Sequence, residues 1–376
     1  MIAPLHPLAP AQAQRPTLSA VMPAYNAAHH LPQTLAPLLA LLAEGAVDEV
    51  ILVDDGSDDG TAELACALGA RVLRSGQRAG PAAARNLAAQ SAHGEVLWFV
   101  DADVAVRPDA AERLARHFLR AEVVAVFGSY CDAPPGLGFF SQYKNLVHHF
   151  QHQRNGGRSS SFWTGCGAVR RQTFLDLGGF DAALFACPSI EDVEFGFRLR
   201  LQGGHTELDP LLLCTHHKRW NLRQVLATDI LHRALPWSRL IMTRRAPADE
   251  LNVSNAERRA AAVAAALLAS LPLAAIHPMV PFALPGALGL VALACNVPLV
   301  RFFRRRRGAS FAAAALLFHQ LYYAYSSAVY LWCWCEQRLV PEAWQVWPKP
   351  GGQPVLQGAA GPQVVPPHAQ PQRASD

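Results

Sequence analysis

The sequence predicts an α/β domain with a parallel-centred sheet, followed by C-terminal transmembrane helices. Two observations predict it: short apolar runs alternate with helical segments from Leu18 to Gly128, and long apolar runs are confined to the last third of the chain. With 376 residues the chain is long enough for a buried core plus a membrane segment. Its charged fraction of 16% is low beside 51% hydrophobic residues, the imbalance expected of a head in water joined to helices in lipid.

Residues 1–16 are rich in Ala and Pro and lack the basic start and apolar stretch of a signal peptide, so they read as a flexible leader. Leu18 to Met22, Glu49 to Val53, Arg71 to Arg74, Glu95 to Val100 and Val123 to Gly128 read as strands. Helices fall between them at Leu31 to Leu42, Thr61 to Leu68, from Pro81, and Pro108 to Leu119. This alternation implies parallel strands with right-handed crossovers. Pro134, Pro135, Gly136 and Gly138 break the pattern, and a mixed, glycine-bearing stretch to about Pro210 completes a domain expected over 17–219.

Over 220–256 apolar residues, Trp220 and Trp237 among them, recur at helical spacing between arginines, which suits helices lying in a lipid headgroup layer. Within 257–336, Ala260 to Ile276 and Met279 to Val300 read as a spanning hairpin, and Phe311 to Cys335 as a third span. Arg258, Arg259, Arg301 and Arg304 to Arg307 flank these runs, so the positive-inside rule puts both basic loops, and with them the head, in the cytosol. Residues 337–376, rich in Pro, Gln, Gly and Ala, read as a disordered tail. The eight cysteines lack paired CxxC spacing, so neither a zinc site nor a disulfide framework is indicated, and a reducing compartment fits best. Abundant Ala, with Arg carrying nearly all the positive charge, is associated with GC-rich bacteria, so a bacterial inner membrane is the expected location. A membrane, and no nucleic acid, is the expected macromolecular surface.

Two acidic clusters end apolar strands: Asp54 and Asp55, before Gly56 and Ser57, and Asp101 and Asp103, around Ala102. Open α/β sheets bind ligands at that edge. Asp54 and Asp55 suit ribose hydroxyls or a base amide. Asp101 and Asp103 can converge on Mg²⁺ or Mn²⁺, a hard cation that also holds diphosphate oxygens and offsets the charge of a departing nucleoside diphosphate. Gly80 and Pro81 open a helix whose amides, with Arg85, can meet a nucleotide. Glu191, Asp192 and Glu194 lie together before an apolar helix, as a general base or as helix N-terminal charge. His148, His149 and His152 lack a partner motif for a metal and read as loop or acceptor contacts.

From about Leu18 to His217 the chain resembles the family 2 glycosyltransferases. Met22-Pro23-Ala24-Tyr25-Asn26 looks like the family's P-x-Y-N turn, Val53 to Ser57 its V-D-D-G-S, Gly80 to Asn86 its G-x-x-x-A-R-N helix and Asp101 to Asp103 its D-x-D. Trp163-Thr164-Gly165, Gly178-Gly179-Phe180-Asp181 and Glu191-Asp192 look like its acceptor-side blocks, in the family's order. The resemblance implies the GT-A (Rossmann-like) nucleotide-sugar-binding fold and inverting transfer from a nucleotide-diphosphate sugar, a UDP-sugar first, to an amphiphilic or glycan acceptor. By the same resemblance Asp192 takes the base role, with Glu191 beside it. Pro23, Tyr25, Asn26, Asp54, Asp55, Ser57, Arg85 and Asp101 contact the donor. Trp163, Gly165 and Asp181 face the acceptor. His216-His217-Lys218-Arg219-Trp220 is similar to the Q-x-x-R-W block of processive synthases, with His216 in place of Gln; this makes Arg219 and Trp220 contacts for diphosphate or acceptor. Two other readings compete. A sugar-phosphate nucleotidylyltransferase needs a glycine-rich basic loop that Met22 to Asn26 lacks, and a noncatalytic membrane scaffold has no need of Asp101, Asp103 and Asp192.

Overall fold

The structure is a computed structural model that describes residues 15–242, 254–276, 282–339 and 363–364. Most of the leader expected at 1–16 lies outside these residues, as do the segments 243–253, 277–281, 340–362 and 365–376. The head is one mixed sheet with helices on both faces. Strands β1 (Leu18–Ala24), β2 (Glu49–Asp54), β3 (Arg71–Arg74) and β4 (Val96–Val100) are parallel, and the helices α1 (Leu31–Ala43), α2 (Thr61–Leu68) and α3 (Pro81–Ser91) connect them as the alternation requires. The strands alternate faces: Leu18, Ala20 and Met22 pack with Leu31, Leu35 and Leu38 of α1, whereas Val21 packs with Ala82, Ala84 and Ala88 of α3. Trp98 and Phe99 divide in the same way, each fully buried on its own side.

Beyond β4 the parallel reading needs correction. A short strand β5 (Val104–Val106) and helix α4 (Ala110–Phe118) precede β6 (Val123–Tyr130). β6 does not lie beside β4: β8 (Cys166–Arg170) inserts between them, antiparallel to both. β9 (His205–His216) then pairs parallel to β6 and antiparallel to β5 and to β7 (Gly157–Ser159). The sheet order is β10-β3-β2-β1-β4-β8-β6-β9-β5. Here β10 is Gln363–Val364, which pairs with β3 inside the segment expected to be a structureless tail. The stretch after Pro134 contributes helices as well: α5 (Phe139–Arg154), α6 (Arg171–Asp176) and α7 (Glu191–Leu201).

After β9 come α8 (Leu222–Ala227), a π-helical turn (Thr228–Ala234) and α9 (Leu235–Met242), in the region expected to be interfacial. They pack inward, burying Val225, Asp229 and Leu240. Three longer helices follow, α10 (Asn255–Ile276), α11 (Ala283–Arg307) and α12 (Ala309–Leu339). Among the described residues only α11 is long and apolar enough to cross a membrane. α10 opens with Glu257, Arg258 and Arg259, and α12 is interrupted by His319, Gln320 and Ser326. Tyr143 and Leu146 of α5 join Phe303 of α11 and Phe318 of α12 in one apolar cluster, which seats the helices on the head.

Candidate active site

The carboxyl ends of β1, β2 and β4 meet at one edge, and hydrogen bonds stitch their loops together. Ser57 Oγ accepts the Asn26 N–H at 2.9 Å, and Asn26 Oδ1 accepts the Asp58 N–H at 3.0 Å. Asn26 holds φ +50, the left-handed region that Asn tolerates better than most residues. Asp55, buried, accepts the N–H groups of Ala79 and Gly80 at 2.9 and 2.8 Å, so it fixes the loop that leads into α3. Gly80 sits at φ +88, and a Cβ there would stand 2.3 Å from the Ala186 carbonyl. Only glycine lets α3 approach that loop.

At the centre lies an ion-pair relay. Arg85, 4% exposed, donates from one guanidinium nitrogen to Asp101 Oδ1 at 2.6 Å and from the other to Glu191 Oε1 at 3.0 Å. Glu191 Oε2 accepts the Ser189 N–H at 2.9 Å, so both its oxygens are committed. Asp192 differs from its neighbour. Its Oδ2 accepts the Thr164 N–H at 3.1 Å and its Oδ1 the Val193 N–H at 2.8 Å, yet it is only half-buried and lines the cavity. Burial first, and the Glu191 charge second, push its pKa up to about 6, a value suited to a proton acceptor near neutral pH.

Asp103 precedes β5, and β5 pairs Val104 with His216 at the end of β9. That pairing brings His216 Nε2 to 3.5 Å from Asp103 Oδ2. Burial alone would raise the Asp103 pKa; the charges of His216, Lys218 and His30 outweigh it and hold the carboxyl well below its usual range. The His216 ring stacks on Tyr130 at 4.3 Å, and His148 lies against Tyr130 and Trp163 at 4.4 and 4.6 Å. The donor set of Asp103 and His216 fits a hard or borderline divalent cation. Among the described residues no three His, Cys, Asp or Glu side chains gather as a full set of ligands, so such a cation would draw its remaining ligands from phosphates and water.

These groups line one cavity of about 1090 Å³. It receives Pro23, Tyr25, Asn26, Asp55, Arg85, Asp101, Asp103, Trp163, Glu191, Asp192 and Trp220 of the residues expected from sequence. It does not receive Asp54, Ser57, Gly165, Asp181 or Arg219. Asp54 and Ser57 hold turns, Asp54 accepting the Ser57 N–H at 3.2 Å. Asp181 accepts the Leu184 N–H at 2.9 Å, Gly165 leaves room for the Trp163 ring, and Arg219 is exposed, with Lys218 reaching the wall instead. Arg85 and Glu191 reach it as partners of each other. The histidines of α5 are on a helix rather than a loop: His149 and His152 bond through Nδ1 to the Tyr130 and Gly128 carbonyls at 2.6 and 2.8 Å. Sequence reasoning missed His216, Arg78, which stands 4.1 Å over the Tyr25 ring, and two lysines. A signal for the lysines existed: of three in the chain, Lys144 and Lys218 both face this cavity.

Residues 19–178 match the model of glycosyl transferase family 2. That stretch, 160 of the 376 residues, is similar to the family. The chain is similar to a pre-mycofactocin glycosyltransferase of Mycobacterium tuberculosis, 28% identical over 59% of this chain and 47% of that protein. It is also similar to an uncharacterized glycosyltransferase of Haemophilus influenzae, 26% identical over 56% of this chain and 71% of that protein. The match therefore spans only about half the length of the first of these relatives. In fold, the chain is similar to the mannosyltransferase PcManGT of Pyrobaculum calidifontis, solved with GDP-Man and Mn²⁺. That likeness has a TM-score of 0.54 at 20% identity and covers 87% of this chain and 90% of that one. The mixed α/β sheet thus resembles that of GT-A glycosyltransferases.

Proposed function

We propose that this chain transfers a sugar, with inversion at the anomeric carbon, from a nucleoside-diphosphate sugar to a hydroxyl of an amphiphilic acceptor at the cytoplasmic face of a membrane. The observation that carries this reading is the single cavity that holds Asp103 with His216 and also Asp192. The turn Pro23 to Asn26, Asp55 and Arg78 form its donor wall. Asp103 and His216 would hold Mn²⁺ or Mg²⁺, and Asp101 supports the site through its bond to Arg85. When bound, the cation offsets the charge of the leaving diphosphate. Asp192 takes the proton of the acceptor hydroxyl as that oxygen attacks, and the Thr164 N–H fixes the carboxylate for the transfer.

The membrane part of the reading rests on how two helices leave the head. Glu257 at the start of α10 accepts from Gln151 at 3.1 Å, and Arg306 at the end of α11 pairs with Asp132 at 2.7 Å. Both ends of the α10–α11 pair thus stand on the head, and helices of 22 and 25 residues reach about 33 and 38 Å from it, against a hydrocarbon core of about 30 Å, while only α11 among the described residues is also apolar enough to cross it. Leu284, Leu290 and Val291 face outward from α11. The test is a screen of UDP- and GDP-sugars with the full chain in detergent, with and without Mn²⁺. Slow release of nucleoside diphosphate that requires the metal supports the reading, and release of nucleoside triphosphate on adding pyrophosphate assigns a nucleotidylyltransferase instead.

A further inference from the structure

The cavity exceeds the roughly 300–1,000 Å³ that one small ligand fills, and part of its wall belongs to neither donor nor base. That part is built by α5, the π-helical turn, α9, α10 and α12. We propose that it is the acceptor chamber, and that the acceptor is an anionic amphiphile: a hydroxyl-bearing headgroup carrying a phosphate that Arg233 binds, on an apolar chain that runs along α10 and α12. This inference rests on the glycosyltransferase reading above and names its second substrate.

Arg233 carries the argument. It lies on the π-helical turn, an element rare in proteins and common at functional sites, and it is exposed toward the cavity. Among the described residues no hydrogen bond or ion pair holds its guanidinium. The carboxylate on its own turn is already spent: Asp229 accepts from Lys144 at 2.5 Å and from the Tyr325 hydroxyl at 2.9 Å. The next carboxylate on this wall is spent as well, since Glu257 accepts from Gln151 and from the Tyr323 hydroxyl at 3.1 and 2.6 Å. Positive charge is therefore in surplus. Burial, and after it the neighbouring charge of Arg233, draw the Lys144 pKa down to about 8, which places the two cations within each other's field.

A second observation points to a ligand. Trp220, Trp237 and His148 line this cavity, and their indole nitrogens and Nδ1 are buried with no hydrogen-bond partner among the described residues. Buried polar nitrogens left unpaired are costly, and phosphate or hydroxyl groups of a bound ligand that reach them would remove that cost. Past the cations the wall turns apolar, with Ile241, Ala261, Ala265 and Leu331. Leu331 and the adjacent Trp332 are also exposed on α12, at 59% and 68%, so the apolar end of the chamber reaches the outer surface of that helix. A neutral sugar would leave Arg233 unpaired, and a free anion would leave the apolar wall empty.

The experiment uses the full chain in zwitterionic nanodiscs, with farnesyl phosphate, farnesol and inorganic phosphate as probes and UDP or GDP with Mn²⁺ as the donor-site control. Farnesyl phosphate should bind at least tenfold more tightly than farnesol or inorganic phosphate. Arg233→Ala should weaken it about 10- to 100-fold, the loss of one charge-assisted hydrogen-bonded pair, with partial recovery in Arg233→Lys and unchanged nucleotide affinity. Equal binding of farnesol and farnesyl phosphate overturns the anion site. A fall in nucleotide affinity as large as the fall for farnesyl phosphate overturns it too, because Arg233 then belongs to the donor diphosphate. If the charge-dependent binding holds while no donor is ever cleaved, the chamber stands and the proposed transfer fails.

Discussion

Asp192 keeps one face to the cavity while backbone and hydroxyl donors fix its orientation, which is what the base proposed above would need. Asp192→Asn should lower turnover about 10²- to 10⁴-fold with little change in donor affinity, as read from kcat and from direct nucleotide-sugar binding. Its raised pKa sets a pH profile. The base works only when ionised, so kcat should fall as pH drops through about 6 and level off above it; a profile flat from about pH 5 to 8 assigns the proton to another group. Arg85 has the opposite character. Arg85→Met strands Asp101 and Glu191 and should cost about 3–5 kcal/mol in chemical denaturation, whereas Arg78→Met, at an exposed site, should change stability by about 0.5 kcal/mol or less. Legibility at this scale follows the range of the contact. The carboxylates could be found because each sits in a local motif. That Glu191 is spent on Arg85, or that His216 meets Asp103, depends on pairings more than 100 residues apart, and a block comparison had put His216 in a glutamine's place.

At the scale of elements, β1 to β4 were readable because each is a buried apolar run ending in its own turn, and β1 to β3 are each followed directly by a helix. β8 was not: five residues in a glycine-bearing stretch carry no period, and their place between β4 and β6 is set by pairing alone. α5 was missed for a related reason, since its polar residues, among them Gln142, Asn145 and His149, are buried by bonding to backbone and blur the helical stripe. The join of loop and helix at Gly80 is the element-level test. Gly80→Ala adds a Cβ against the Ala186 carbonyl at a positive φ, so it should cost about 1–3 kcal/mol in thermal unfolding and weaken the nucleotide by moving α3 off Asp55. An unchanged melting point and unchanged affinity would show that the loop of Ala186 yields freely.

Across the whole molecule, the head and the C-terminal helices share one cavity, so the proposed anchoring and the proposed chemistry would be coupled rather than adjacent. The sequence showed where apolar residue accumulates; it did not show that α12 lies along α9, where Arg239 pairs with Glu336 at 2.9 Å, so a third span is not a reading the contacts favour. Cys295, exposed midway along α11, reports on the proposed hairpin. In membranes it should resist a membrane-impermeant maleimide, read by peptide mapping, and react once detergent is added; rapid labelling before detergent places α11 in water. The central claim is metal-assisted transfer from a nucleotide sugar with Asp192 as base. Its most direct measurement is nucleoside diphosphate release from UDP- and GDP-sugars by the full chain, comparing wild type, Asp103→Ala and Asp192→Asn with Mn²⁺ present or chelated. The account predicts release that chelation abolishes, donor binding that Asp103→Ala weakens only when metal is present, and a turnover loss in Asp192→Asn with binding retained. Equal release with and without metal, or an Asp192→Asn enzyme as fast as wild type, would contradict it.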